Sequence, residues 1–172
     1  MPGREPGARQ KRMHIERALA DLGLVLPAPL APPPGVELPF PFVRVRGSRA
    51  FVSGHGPLNA DGSIAGPLGK VGAEVTPEQA KQAAELTGLA MLSSLRAALG
   101  DLDRVTAWLR VFGMVNTAPG FTATPSVING FSELILRLWG PEAGAHARSA
   151  VGMAALPFDL PVEIEAEVEI SA

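Results

Sequence analysis

The chain has no cysteine among its 172 residues, which excludes disulfides, thiolate metal sites and thiol nucleophiles together. Charge is also scarce, at 19% of residues with a formal net charge of −2. No concentrated basic face is left to neutralise a phosphate backbone, so nucleic acid is not expected as the main ligand. No apolar run approaches the ~20 residues of a membrane-spanning helix. Basic residues gather near the start, from Arg4 to Arg17, without an apolar h-region directly behind them, which argues against a secretory signal. The three histidines share no metal-ligand spacing, so no metal site is expected. The glycines of Gly62–Gly72 follow neither the Walker nor the GxGxxG pattern, and no cofactor is expected. These absences describe a cytoplasmic protein of one domain, long enough for a genuine hydrophobic core.

Proline and glycine, by contrast, are abundant at seventeen and nineteen, and their placement divides the chain. Residues 1–12 read as a disordered tail. Residues 13–40 read as a helix and a proline-rich lead. Within Met13–Leu22, Ile15, Ala18, Leu19 and Leu22 recur at helical spacing, and Gly23 closes the helix. Val25–Pro41 must be extended, because each proline bars its predecessor from the helical region.

Residues 41–172 form the main domain. Phe42–Arg46 and Ala50–Ser53 flank Gly47-Ser48 as a hairpin. Gly54–Val75 is a glycine-punctuated loop of a length more often functional than idle. Thr76-Pro77-Glu78-Gln79 is a capping box with proline at the first helical position. The helix it opens ends at Leu99, before Gly100. Glu78, Lys81, Gln82 and Glu85 form its wet face, and Ala80, Ala83, Ala84, Thr87, Met91 and Leu95 its inner one. Arg104–Val115 is β-branched and aromatic on both faces, as a central strand requires. A second helix runs from Thr124-Pro125 to Trp139 and stops at Gly140-Pro141, and Arg148–Ala154 and Val162–Ile170 are the last strands. The order predicts an α+β domain, a mixed sheet with two helices on one face. The other face is left bare, and an apolar patch of that size predicts self-association into a closed ring.

The chemistry-bearing residues concentrate in Ala147–Ile170. Arg148 stands in a run of small residues with no acidic partner of its own. A guanidinium in such company needs a carboxylate, from the protein or from a ligand, and its planar fork suits bidentate capture of one. Glutamates 163, 165, 167 and 169 alternate onto one face of the last strand, with Val162, Ile164, Ala166, Val168 and Ile170 on the other. Most of these carboxylates are expected to be solvated and paired with arginines of a neighbouring strand, such as Arg44 and Arg46. Glu163 is set apart because it lies nearest the turn expected to return the strand beside Arg148. His55 sits among glycines at a strand end, more often a place for a loop hydrogen bond than for a base. His146 lies two residues before Arg148, on the same side of the same strand. Asn129, early in the second helix, reads as structural. Ser53, His55 and Asp61 form no nucleophile-elbow pattern, which discounts a hydrolytic triad.

These residues resemble the YjgF/Rid family, also known as L-PSP endoribonucleases, and its longer-headed branch in particular. The matching pieces are Phe51-Val52-Ser53-Gly54, the helix after Thr76, Gly100-Asp101-Leu102-Asp103-Arg104-Val105, Phe112–Asn116 and Val127-Ile128-Asn129-Gly130. Most specific are Ala147-Arg148-Ser149-Ala150, Leu156-Pro157 and Val162-Glu163-Ile164-Glu165. The resemblance spans roughly Pro41 to Ile170. It implies a chorismate-mutase-like fold in a homotrimeric barrel, with sites in clefts between subunits. It further implies that Arg148 grips a small carboxylate substrate and that Glu163 orders the water attacking an enamine or imine. Backbone at Ala150 and near Gly54 would complete the pocket, with His55, Phe42 and Asn129 beside it. Ala150 stands where the family's deaminases commonly have cysteine, Phe40 or Phe42 where they have tyrosine, and His55 where they often have glutamine. A hydrolase releasing a 2-oxo acid and ammonia is the leading expectation. A non-catalytic sensor of 2-oxo acids is the alternative, and RNA cleavage the weakest.

Overall fold

The computed structural model describes residues 14–172; the tail expected over residues 1–12 lies outside the described residues. Helix α1 is His14–Asp21. Its first two amides are capped from far along the chain, His14 N–H and Ile15 N–H donating to the Asp103 carboxylate at 2.7 and 2.9 Å, where an acidic group is best placed. It closes at Gly23 with φ +67°, the left-handed turn expected there. Ile15 and Leu19 join the core, but Leu22 is exposed: it lies past the last helical turn and so misses the apolar stripe. The proline-rich lead that follows is irregular, as expected.

Strands β1 (Val43–Arg46) and β2 (Arg49–His55) form the hairpin about Gly47-Ser48. Helix α2 (Pro77–Leu99) carries the full capping box, with Thr76 and Gln79 exchanging side-chain and backbone bonds, and ends at Gly100 with φ +79°. Strand β3 is Val105–Asn116. Helix α3 (Thr124–Ala143) loses regular geometry at Gly140, where φ is +77° and ψ 177°, so the expected stop is in place and Pro141–Ala143 is a separate short turn. Strands β4 (Ala147–Met153) and β5 (Val162–Ile170) complete the fold.

The sheet order is β1-β2-β5-β3-β4, antiparallel throughout except for the β3–β4 pair. That parallel pair follows from α3, because a helix between two strands returns the chain in the same direction. Helices α2 and α3 cover one face, where Val52, Val111, Ile164, Ala166 and Val168 meet Met91, Leu95, Ile128, Phe131 and Ile135. Trp108 lies buried among the rings of Phe131 and Trp139. The two helices approach so closely that a Cβ on Gly130 would fall on the Lys81 carbonyl. Lys81 and Glu85 lie on the water-facing side, as expected, and there pair across the helices with Glu133 and Arg137. Among the described residues, no helix or strand covers the opposite face of the sheet. Arg44, Phe51, Glu167 and Arg110 form one cross-strand row there, and a cleft of ≈ 320 Å³ opens above it.

Candidate functional site

Arg148 lies on β4, an edge strand, directly opposite Val111 of β3. Val111 faces the helices, and the guanidinium does too, against the first turns of α3. One terminal nitrogen donates to Asn129 Oδ1 at 2.9 Å and to Ser132 Oγ at 3.0 Å, and the other to the Pro125 carbonyl at 3.3 Å. All three acceptors are neutral. Among the described residues no carboxylate pairs with this cation. Of its five N–H groups, three are thus placed and two, on Nε and the second terminal nitrogen, remain for another partner. Half-burial without a counter-ion lowers its pKa through desolvation, and a free carboxylate is what such a group lacks. Asn129, read as structural from sequence, is the residue that aims the arginine.

Ser132 was not singled out by the sequence, although its spacing from Asn129 places both on one face of α3. Its hydroxyl oxygen accepts from Arg148, so its proton points the other way, to His146 Nε2 at 2.9 Å. His146 Nδ1 in turn lies 2.7 Å from the Gly144 carbonyl, which only accepts, so Nδ1 carries the proton and Nε2 is free to receive the Ser132 hydroxyl. His146 shares the strand side of Arg148, as expected, but is half-buried. Beside this group, the Ala150 carbonyl accepts from Thr124 Oγ1 at 3.0 Å.

Glu163 is elsewhere. It pairs with Met114 on β3, three residues beyond Val111, and an odd separation on a strand places two residues on opposite faces. Arg148 and Glu163 therefore lie on opposite sides of the sheet, separated by β3, with roughly 10 Å along the strands and about 10 Å across them. The expectation of a two-strand corner bringing them together is overturned: β3, and not the turn after β4, lies beside both. The Glu163 carboxylate rests over Gly54, in the place a Cβ would take, so the absent side chain at Gly54 is what admits it. Burial first, and the charge of Glu165 second, raise its pKa.

His55 adjoins Gly54 and pairs with Ile164, next to Glu163, but its ring turns to the helix side of the sheet. The register of β2 against β5 shifts between Val52 and His55, and this bulge at Ser53-Gly54 turns the imidazole inward. His55 is 1% exposed, with Nδ1 2.6 Å from the Ser53 carbonyl and Nε2 2.8 Å from Ser94 Oγ. Phe42 packs edge-on against it at 5.8 Å. Expected beside the ligand, the two side chains instead pack toward the helices next to Gly54, and Gly54 within a strand was the signal that a bulge would do this. The Ser53 hydroxyl donates to the Pro41 carbonyl and Asp61 binds Ser63, so no triad forms. The arginine that pairs with the β5 glutamates is Arg49, at 2.7 Å from Glu167. Arg44 and Arg46 are on β1, one strand too far.

Burial lowers the His55 pKa, with the Ser53 carbonyl acting in the opposite sense. The unfolded chain therefore binds a proton that the folded one refuses. Stability contributed by neutral His55 is complete above about pH 6.5, the unfolded value, and is lost as pH falls toward the depressed folded one. Chemical denaturation at pH 7.5 and 5.5 should show the unfolding free energy falling in acid, with a smaller fall in His55→Gln. An equal fall in the variant would refute this role.

Among the described residues, no group of three or more His, Asp or Glu is placed to hold a metal, and no helix is long and apolar enough to cross a membrane. No family model matches the chain. Protein TCP17 of Trypanosoma cruzi is 40% identical over 153 residues, 89% of this chain and 92% of its own length. Among solved structures, Atu1372 of Agrobacterium tumefaciens, of unknown function, is 38% identical with a TM-score of 0.83, covering 95% of this chain and 96% of its own. A candidate endoribonuclease from Shewanella oneidensis is 27% identical with a TM-score of 0.81, covering 91% of this chain and 99% of its own. The chain belongs to the YjgF/Rid (L-PSP) family. Its α+β fold, with a mixed five-stranded sheet and, among the described residues, three helices, is the chorismate-mutase-like fold of that family. At 21% identity and a TM-score of 0.55, Escherichia coli TdcF with bound serine has the same fold over 86% of this chain and 96% of its own.

Proposed function

We propose that this Rid-family chain assembles as a homotrimer whose intersubunit clefts bind a small carboxylate and hydrolyse its enamine or imine to a 2-oxo acid and ammonia. The observation behind this reading is Arg148: a half-buried guanidinium held by three neutral acceptors, with two donors to spare and, among the described residues, no carboxylate of its own. Two charge-assisted bonds from one planar fork are the standard grip on a carboxylate. The serine bound to TdcF is a small carboxylate of the kind this grip would suit. The proposed site is shared between copies. Arg148 and Glu163 of one chain are on opposite faces of its sheet, so a ligand touching both functions takes them from two protomers. The uncovered sheet face, with Phe51, Phe112 and Met114, supports such assembly.

The reaction asks little of the protein. The enamine tautomerises to an imine by taking a proton at carbon. Water then adds to the imine carbon, its oxygen forming the new bond while Glu163 receives the proton. Returning that proton to nitrogen completes the carbinolamine, and passage of its hydroxyl proton to nitrogen through the same carboxylate lets the C–N bond break, releasing ammonia as the carbonyl forms. A carboxylate whose pKa is raised is better matched to both halves of this transfer than an ordinary one. The Ala150 backbone and Gly54 are the remaining proposed pocket groups. The domain limits, residues 13–40 as lead and 41–172 as the family domain, belong to the same proposal.

Freshly generated 2-aminoacrylate, followed by release of pyruvate and ammonia, tests this. The wild type should accelerate release over buffer, Glu163→Gln should lose roughly 10²-fold, and the rate should fall in acid with an inflection above the ordinary glutamate value. Absence of acceleration removes the deaminase reading. Tight pyruvate binding without turnover would favour the carboxylate sensor, which the loss of the family's thiol and phenol at Ala150 and Phe42 makes the second reading.

A further inference from the structure

We propose that His146, acting through Ser132, is a positioning residue that orders the Arg148 guanidinium and couples carboxylate capture there to proton uptake. This rests on the reading of Arg148 as a carboxylate clasp and adds a dependence that the clasp alone does not have. The chain of bonds runs from Arg148 N–H to Ser132 Oγ, from the Ser132 hydroxyl to His146 Nε2, and from His146 Nδ1–H to the Gly144 carbonyl. His146 holds the Ser132 oxygen against one terminal nitrogen of the arginine in either protonation state: neutral Nε2 accepts from the hydroxyl, and protonated Nε2 donates to the same oxygen, whose second lone pair still accepts from Arg148. The Asn129 amide holds the same nitrogen. The fork is thereby locked on the side facing α3 and left open on the side carrying Nε.

The second half of the inference is electrostatic. Burial disfavours protonation of His146, the Gly144 carbonyl opposes that effect, and the positive charge of Arg148 adds to it. Among the described residues, no other charge is directed at the imidazole. On α3, Glu133 and Arg137 turn to Lys81 and Glu85 of α2, and Glu142 lies in the turn beyond the Gly140 break. On β3, Arg110 faces the opposite side of the sheet beside Ala147. On β4 itself Arg148 is the charge. A carboxylate seated on Arg148 cancels the part of this effect that comes from the arginine's charge, burial remaining, so binding raises the proton affinity of the imidazole. By reciprocity, the proton must raise the affinity for the carboxylate. At the separation of neighbouring side chains the coupling is expected to be about threefold to tenfold.

The experiment is calorimetric titration of the full chain with pyruvate at pH 7.5 and 5.5. Binding should tighten by about threefold to tenfold at pH 5.5 in the wild type. At pH 5.5, buffers of different ionisation enthalpy should report a net proton taken up. The ring-proton shifts of His146 should report a pKa that rises when pyruvate is added. His146→Gln and His146→Asn, two variants so that one misfolded protein does not decide the matter, should flatten the pH dependence, whereas His55→Gln should leave it in place. Pyruvate binding with no pH dependence, or a dependence that persists in both His146 variants, overturns the coupling and leaves the clasp standing. No pyruvate binding at either pH, with the wild type equal to Arg148→Ala, overturns the clasp and with it this inference.

Discussion

Replacing Arg148 by alanine should reduce kcat/KM for 2-aminoacrylate by about 10²- to 10³-fold and abolish measurable pyruvate binding. The magnitude follows from losing two charge-assisted bonds at roughly 1.5–3 kcal/mol each, partly offset by water entering the vacated space. The fold should survive, since Arg148 is bound by neutral groups of α3 that are near enough to water to be satisfied by it. Lysine at the same position separates charge from geometry. It keeps the cation but cannot reproduce the planar fork held by Asn129 and Ser132, so it should recover only part of the binding. Full recovery by lysine would mean that the arginine acts as a point charge and that its ordering by α3 is irrelevant. An alanine variant as active as the wild type would remove the arginine from the mechanism.

The largest effect on stability is expected at Gly130. A Cβ there would occupy the Lys81 carbonyl group, which is backbone and cannot swing aside, so α2 and α3 must separate. The close packing of Phe131 and Leu134 over Gly88 is lost when the helices part. Gly130→Ala should therefore cost about 3 kcal/mol or more although alanine is the better helix former. Thermal unfolding should fall by roughly 6–12 °C. Asn129 is the preceding residue, so movement of α3 should also weaken pyruvate binding in whatever fraction remains folded. A variant with unchanged or raised thermal stability would show that the helices have room to adjust.

Much of this architecture is written locally. The capping box at Thr76, glycines closing both N-terminal helices, the hairpin at Gly47-Ser48 and the alternation of Val162–Ile170 are each specified by neighbouring residues, and each is found where the chemistry places it. The helix-facing residues of α2 were legible for the same reason, since a 3.6-residue period is a property of the segment itself. Pairings between distant segments were not. Local pattern cannot say that β3 enters the sheet between β4 and β5, and this one fact separates Arg148 from Glu163 within a chain. The pairing of β2, and not β1, with β5 likewise makes Arg49, and not Arg44 or Arg46, the partner of Glu167. The bulge that turns His55 inward depends on how β2 meets β5, and Gly54 only hinted at it. In the candidate site, Arg148 was legible as a cation without a partner. Ser132, a common residue at an ordinary helical position, acquired meaning only when β4 came to lie beside α3.

The most direct test is an X-ray structure of crystals grown with pyruvate. The pyruvate carboxylate should lie on Nε and the free terminal N–H of Arg148, with Asn129 and Ser132 still holding the opposite side of the fork. Glu163 of a second copy should face the ligand's carbonyl carbon. An Arg148 paired with a carboxylate of the protein itself, or open to bulk solvent with no neighbouring copy and no pyruvate on it, would contradict the account.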